Sequence, residues 1–232
     1  MNQVTASQSA QIIHLLSDDR ELLINSILAI ITLLALLVAF FQESIKKLLS
    51  RAKIKISINK FPPDCHQILL TNQQTGKPVG YTIYSRIRLA NKSKINTSED
   101  TEVFIAHFWK IVNGEKEEVK TFLPMNLKWS HTHEIKTNIL PDFYRYCDFG
   151  SFRKRNNGDV ILLIDTIVQP NPVSGGKLPN LIEAGDYEFE IVVSGKNIKP
   201  QKKVYNLSFE NEWKENEEEM LSSISIEEKK HI

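Results

Sequence analysis

The stretch that decides the architecture is "ELLINSILAIITLLALLVAFFQESIKKLLSRAKIKISI", residues 21–58. It begins apolar, turns basic and then alternates. Between Leu22 and Phe41 no side chain is charged, and only Asn25, Ser26 and Thr32 are polar. About 20 residues at 1.5 Å rise per residue match the roughly 30 Å hydrocarbon core of a bilayer. A helix packed on a globular core would show a polar face, and residues 27–41 show none. The expectation is one transmembrane helix over residues 22–42, with the lipid bilayer as its partner through Leu22 to Phe41.

The flanks of the span address export and orientation. A cleaved signal peptide has a basic start, a shorter apolar run and a small-residue cleavage site. Here "SDDRE" precedes the run and "FFQESIKK" follows it, so cleavage is not expected. Arg20 stands alone on the N-terminal side, against Lys46, Lys47, Arg51, Lys53 and Lys55 on the other. Positively charged flanks stay in the cytoplasm, which predicts the N-terminus outside, residues 1–21 as a short tail, and the bulk of the chain in the cytosol of a bacterium. The alternative is a signal-anchored domain exported to the envelope. Residues 43–52 read as a helical extension whose lysines and arginine first of all set the topology, and which could also rest on anionic headgroups.

From Lys53 the period becomes two. "KIKISIN" puts Ile54, Ile56 and Ile58 on one face, and "GYTIYSRIRLAN" puts Tyr81, Ile83, Ser85, Ile87 and Leu89 opposite Thr82, Tyr84, Arg86 and Arg88. Asn113-Gly114 marks a type I′ hairpin turn. "YRYCDFGSF", "DVILLIDTIV", "DYEFEIVVSG" and "KKVYNLSFE" are further strands between turn signals. No long amphipathic helical pattern follows Ala52, so residues 53–209 are expected to form an all-β sandwich.

The runs "RIRLANKSK", "NILPDFYRYCDFG" and "LIEAGDYEFEIVVSGKN" resemble the strand and turn grammar of bacterial single-span membrane proteins with an immunoglobulin-like β-sandwich domain. The resemblance covers about residues 53–213. It implies an immunoglobulin-like fold and a membrane address, and it brings no functional residues. The chain departs from the pattern in showing no inter-sheet cysteine pair around a central tryptophan, and in the irregular middle bracketed by Pro124 and Pro141. Residues 210–232, rich in acids, read as a solvated C-terminal tail.

Composition excludes more than it assigns. The chain has 232 residues and a net charge of +1, which speaks against a dedicated nucleic-acid binder. Two cysteines, Cys65 and Cys147, are too few for a disulfide framework. His131 and His133, alternate residues, would point the same way on a strand and offer two metal ligands. A third would have to come from His66, Cys65, His107 or Cys147, and a solvated loop is the simpler account. Cys147 beside Asp148 reads as a small core residue before it reads as a nucleophile. In "FYRYCDFGSFRKRNNG", Tyr144, Tyr146, Phe149 and Phe152 with Arg145, Arg153, Lys154 and Arg155 form a basic-aromatic cluster suited to stacking and phosphate contacts. Alternation predicts that part of it is core and that residues 153–155 tip a hairpin. The Pro- and Gly-rich loop 169–180 is a place where a sandwich could carry a site. Trp109, Trp129 and Trp213 read as packing residues or partner anchors. No catalytic, cofactor or metal site is therefore assigned. The expected role is a non-enzymatic interaction or sensing module at the inner membrane, with a membrane-associated protein as partner. A metal-dependent or cysteine enzyme is the more distant alternative.

Overall fold

The structure, a computed structural model, describes residues 20, 22–42, 50–72, 74–132, 134–166, 171–173 and 176–229. The chain divides into two units, residues 1–50 and 51–232. In the first, α1 (Leu22–Gln42) is long and apolar enough to cross a membrane, and its apolar window is buried by no other part of the chain. The hydroxyl of Thr32, a polar group within this apolar helix, donates to the Leu28 carbonyl at 2.8 Å, so the helix satisfies it internally. The expected extension over residues 43–52 falls largely outside the described residues.

The second unit runs β1 (Ile54–Ser57), β2 (Cys65–Thr71), β3 (Pro78–Asn91), β4 (Ser98–Val112), β5 (Glu115–Glu118), β6 (Met125–Asn126), β7 (Thr137–Ile139), β8 (Tyr144–Lys154), β9 (Val160–Ile164), β10 (Leu181–Glu183), β11 (Gly185–Gly195), β12 (Ile198–Phe209), α2 (Glu217–Ser222) and β13 (Ile224–Glu228). These strands form two antiparallel sheets. In the first, β1 and β2 share one edge of β3, followed by β8, β9 and β10. In the second the order is β13, β12, β11, β4, and the far edge of β4 is covered in turn by β7, β6 and β5.

Both sheets send alternate side chains into one hydrophobic cluster. On β3, Ile83, Ser85, Ile87 and Leu89 are buried as the alternation predicts, while Tyr81 is exposed. Aromatic rings join the sheets. Phe149 of β8 stacks on Phe189 of β11 at 4.9 Å between centroids, and Phe152 meets Phe209 edge-on at 5.1 Å. Such pairs add to the area term because they align ring quadrupoles. Asn113 and Gly114 adopt φ of 53° and 84°, the positive pair that the β4–β5 turn requires.

The acidic C-terminal segment departs from the expected tail. Asn216 caps α2 by accepting from the N–H groups of Glu218 and Glu219 at 2.9 and 3.2 Å. Three glutamates then occupy the first helical turn, where the helix dipole favours negative charge. Met220 and Leu221 are buried, and β13 pairs with β12 from Phe209↔Ile224 to Tyr205↔Glu228, burying Ile224 and Ile226. The acids hide a short alternation, "ISIEE", that completes the second sheet. The carboxylate of Glu217 also accepts from the Gln67 N–H at 2.7 Å, satisfying a donor on the edge strand β2.

Candidate functional site

The outer face of the first sheet carries a row of charged and aromatic side chains in mutual contact. Alternation on β3 turns Tyr84, Arg86 and Arg88 outward. Register brings β8 beside them: Arg86 lies opposite Asp148, Arg88 opposite Tyr146 and Ala90 opposite Tyr144. Between Ser85 and Arg86 the register shifts, leaving Phe149 as an extra residue on β8. That bulge decides the site. A one-residue change of phase exchanges the faces of a strand, so the bulge lets Phe149 and Phe152 reach the core while Tyr144 and Tyr146 stay outside.

The twist of the sheet brings diagonal neighbours together. The Arg86 guanidinium lies 4.4 Å from the centre of the Tyr146 ring, and that of Arg88 lies 3.9 Å from the centre of Tyr144. The two tyrosines meet edge-on at 5.6 Å. The result is a ladder of alternating cations and rings. Each contact contributes about 0.5–1 kcal/mol, more where water is excluded. Among the described residues no carboxylate forms an ion pair with either arginine. The Nε atoms of both are buried without hydrogen-bond partners, and Arg86 otherwise donates through Nη2 to the Pro63 carbonyl.

Buried acids back the ladder. Asp148 is 2% exposed and accepts from the Ser130 hydroxyl, while its backbone N–H donates to the Lys128 carbonyl at 2.9 Å. Asp64, also buried, accepts from Asn59 Nδ2 at 2.7 Å. Burial and then the neighbouring Asp148 carboxylate push the Tyr84 phenol far up, and burial and then Asp64 push Tyr146 up. Burial, followed by the Arg86 charge, lowers the pKa of His66, whose ring meets Tyr84 edge-on at 6.2 Å. Both tyrosines and the histidine are thus uncharged at neutral pH, and Arg86 and Arg88 are the cations of this face. The segment bearing Ser130 is fixed by Trp129, fully buried, whose indole N–H donates to the carbonyls of Thr101 and Ile135 at 3.1 and 3.0 Å.

Beside the ladder opens a groove of about 300 Å³ lined by Ser130, His131, Ile139, Leu140, Phe143 and the Tyr144–Tyr146 segment. Leu140 and Phe143 are 55% and 62% exposed on its rim. His131, in its lining, has a positive φ of 73°, and Asp142, at 55°, turns the chain between the lining residues Leu140 and Phe143. A second, larger cleft of about 450 Å³ lies at the far end of β8, between Arg155, Lys177 and Leu178 and the β4–β5 hairpin. It includes Gly176, Lys177 and Leu178 of loop 169–180. Its charges balance one another: Lys110, Arg155 and Lys177 stand against Glu117, Glu118 and Glu183, and Lys177 reaches Glu183 at 3.9 Å. The smaller groove, next to unpaired arginines, is the better candidate for recognition.

The residues flagged in the sequence distribute as follows. The basic-aromatic cluster splits: Tyr144 and Tyr146 join the ladder, Phe149 and Phe152 are core, and Arg155 lies at the other end of the strand, about 33 Å away for an 11-residue strand. Lys154 pairs with Glu215 at 3.0 Å. His131 lines the groove, and His133 lies outside the described residues. His66 sits on the outer face of the first sheet and His107 stacks on Trp109 in the second at 5.1 Å. Cys65 and Cys147 are core residues, so the set does not converge. Among the described residues no three His, Cys, Asp or Glu side chains are grouped to hold a metal. Burial pushes the Cys65 thiol up to about 12 and that of Cys147 well above its ordinary value, which disfavours the thiolate a nucleophile needs. Both cysteines lie in the first sheet, on β2 and β8, and bridge nothing. Trp129 is core and Trp213 packs against it.

Sequence reasoning left Arg86 and Arg88 as an ordinary wet strand face. The signal was the coincidence of "YSRIR" with "YRY", two alternating runs of matching chemistry; the register that joins them is a tertiary property. No family model matches the chain, and no curated protein matches it.

Proposed function

We propose that the protein is a membrane-tethered, non-enzymatic interaction module, in which α1 holds an immunoglobulin-like domain at the inner face of the plasma membrane and the arginine–tyrosine ladder receives an acidic segment of a membrane-associated protein. The observation that carries this reading is the ladder: two stacked arginines with no carboxylate ion pair among the described residues, beside an apolar groove. Stacking fixes each guanidinium plane and leaves Nη1 of Arg86 and the Nη groups of Arg88 for carboxylates, while the groove accepts an adjacent apolar side chain. Tethering raises the effective concentration of such a site for partners in the same membrane.

The immunoglobulin-like part of the reading is supported by connectivity. The first sheet places β1 and β2 beside β3 and β3 beside β8; the second places β12 beside β11 and β11 beside β4. These are the neighbour relations of strands A, B and E and of strands G, F and C in that fold. The cytosolic orientation is supported by the lysines and arginine that follow the span.

The test is co-purification of the full-length, detergent-solubilised protein. A partner captured by the native chain and lost with Arg86→Ala and Arg88→Ala together, while Lys154→Ala retains it, supports the ladder as the contact. An unchanged set of captured proteins removes it.

A further inference from the structure

The end of the β unit at which the chain enters carries exposed basic and apolar side chains together. Three segments are tied together there. The Lys92 N–H donates to the Lys53 carbonyl at 2.7 Å, the Lys53 N–H to Ser93 Oγ at 2.8 Å, and Asn96 Nδ2 to the Arg51 carbonyl at 3.2 Å. The Asp142 N–H donates to the Ser93 carbonyl at 3.2 Å and the Asn91 N–H to the Phe143 carbonyl at 2.9 Å, so loops 92–97 and 140–143 are neighbours.

From these loops large apolar side chains project into solvent. Ile95 is 82% exposed, with Leu140 and Phe143 beside it. Around them Arg51, Lys53, Lys92, Lys94 and Arg145 are exposed, and none has an ion-pair partner among the described residues. The acids of this end are fewer. Asp100 is paired with Lys196 at 2.7 Å, and Glu99 and Asp142 remain. Apolar tips within a basic ring are the chemistry of an interfacial membrane contact, in which aliphatic and aromatic groups enter the headgroup–acyl boundary and lysines meet anionic headgroups.

Chain length points to the same occupant. From Gln42, the last residue of α1, to Arg51 there are about nine residues, which cannot reach further than roughly 30 Å even when fully extended. Covalent reach alone therefore limits how far Arg51, where the chain enters the β unit, can lie from the end of α1.

We propose that this end of the β unit is a second lipid contact, with Ile95, Leu140 and Phe143 entering the boundary of an anionic leaflet and the surrounding lysines and arginines on its phosphates. The contact rests on α1 spanning the bilayer. It shares Leu140, Phe143 and Arg145 with the lining of the groove beside the ladder, and Ile95, Lys92 and Lys94, which lie outside that groove, are the residues that belong to the lipid contact alone. It holds the β unit against the membrane with its entry end down and its far end, at the β4–β5 turn, in solution.

The experiment uses the full chain in nanodiscs rich in phosphatidylserine, with an environment-sensitive fluorophore on Ile95→Cys and, separately, on Glu115→Cys at the opposite end of β4. Cys65 and Cys147 are buried and need no replacement. The expected result is a blue-shifted emission at position 95, quenched by lipids with a shallow nitroxide, against a water-like, unquenched signal at 115. The shift is lost with Lys92→Glu and Lys94→Glu, or in discs of phosphatidylcholine alone. Equal, water-like signals at 95 and 115 overturn the contact. An unchanged shift in phosphatidylcholine discs overturns its electrostatic part. Co-elution with the disc reads α1 separately, and a chain that does not co-elute removes the span and this contact together.

Discussion

Replacing Ile224 by Ala tests whether the acidic C-terminal segment belongs to the fold. Ile224 is fully buried, opposite Phe209 in the last ladder of the second sheet. The substitution removes three carbons from a closed site. At about 0.8 kcal/mol per buried methylene the transfer loss is roughly 2.4 kcal/mol. The cavity left behind brings the expected loss to about 3–4 kcal/mol, within the range for isoleucine-to-alanine changes in cores. Urea unfolding of the β unit, followed through the fluorescence of buried Trp129 with α1 held in a micelle, would register it. With a slope of about 2–3 kcal/mol per molar, the midpoint falls by more than about 1 M. Glu227→Ala, on the exposed side of β13, serves as the control and changes stability by less than about 0.5 kcal/mol. If the Ile224→Ala midpoint also stays within that margin, β13 does not contribute to the fold and the segment is a tail after all.

Three further outcomes follow from the same geometry. At Gly150 an added Cβ would lie 2.5 Å from the Leu163 carbonyl oxygen, a backbone atom held in the β8–β9 ladder; Gly150→Ala therefore lowers stability by about 2–3 kcal/mol, seen as a melting temperature lower by roughly 5–10 °C. Burial works to raise the pKa of the Glu188 carboxyl, but Lys116 at 2.5 Å and Lys229 at 2.6 Å outweigh it and hold the group below its ordinary value. A depressed folded-state pKa stabilises above the unfolded value, near about 4.3, and that contribution is lost as pH falls below it; denaturation profiles should show Glu188→Gln narrowing the stability difference between neutral and acid pH. Finally, Cys65 and Cys147 should leave an aromatic disulfide reagent unreacted in the native protein and react only on unfolding; rapid reaction of Cys147 in the folded state would reopen the nucleophile reading.

Periodicity made much of this fold legible, and it failed where another signal lay on top of it. The charge-free run at residues 22–41 and the alternation of "KIKISIN" and "YTIYSRIRLAN" depend only on local pattern, and the helix and both strands formed as that pattern demands. The Asn113-Gly114 turn was readable because few residue pairs accept positive φ. In the C-terminal segment, composition hid a pattern: eight glutamates from residue 210 to residue 228 outweighed the alternating Ile224 and Ile226, although five of them belong to the first turn of α2 and to β13. The candidate site was half visible. Tyr144 and Tyr146 belonged to a recognisable cluster, but their partners Arg88 and Arg86 came from β3, 56 and 60 residues earlier, through a register set by a bulge. The sequence signature of that bulge, a glycine after Phe149, is too short to read without the partner strand. The entry-end surface was invisible for the same reason: loops 92–97 and 140–143 become neighbours only through hydrogen bonds to Ser93 and Asn91.

The central claim is that α1 is a membrane anchor that keeps the β unit in the cytosol. Buried Cys147 cannot report on it, so the measurement uses Glu115→Cys, an exposed position at the β4–β5 turn, and a membrane-impermeant maleimide. The protein should remain in the membrane fraction after alkaline carbonate extraction and take up the label only once cells are permeabilised. Labelling in intact cells would place the domain on the outside, and release into the carbonate supernatant would remove the anchor.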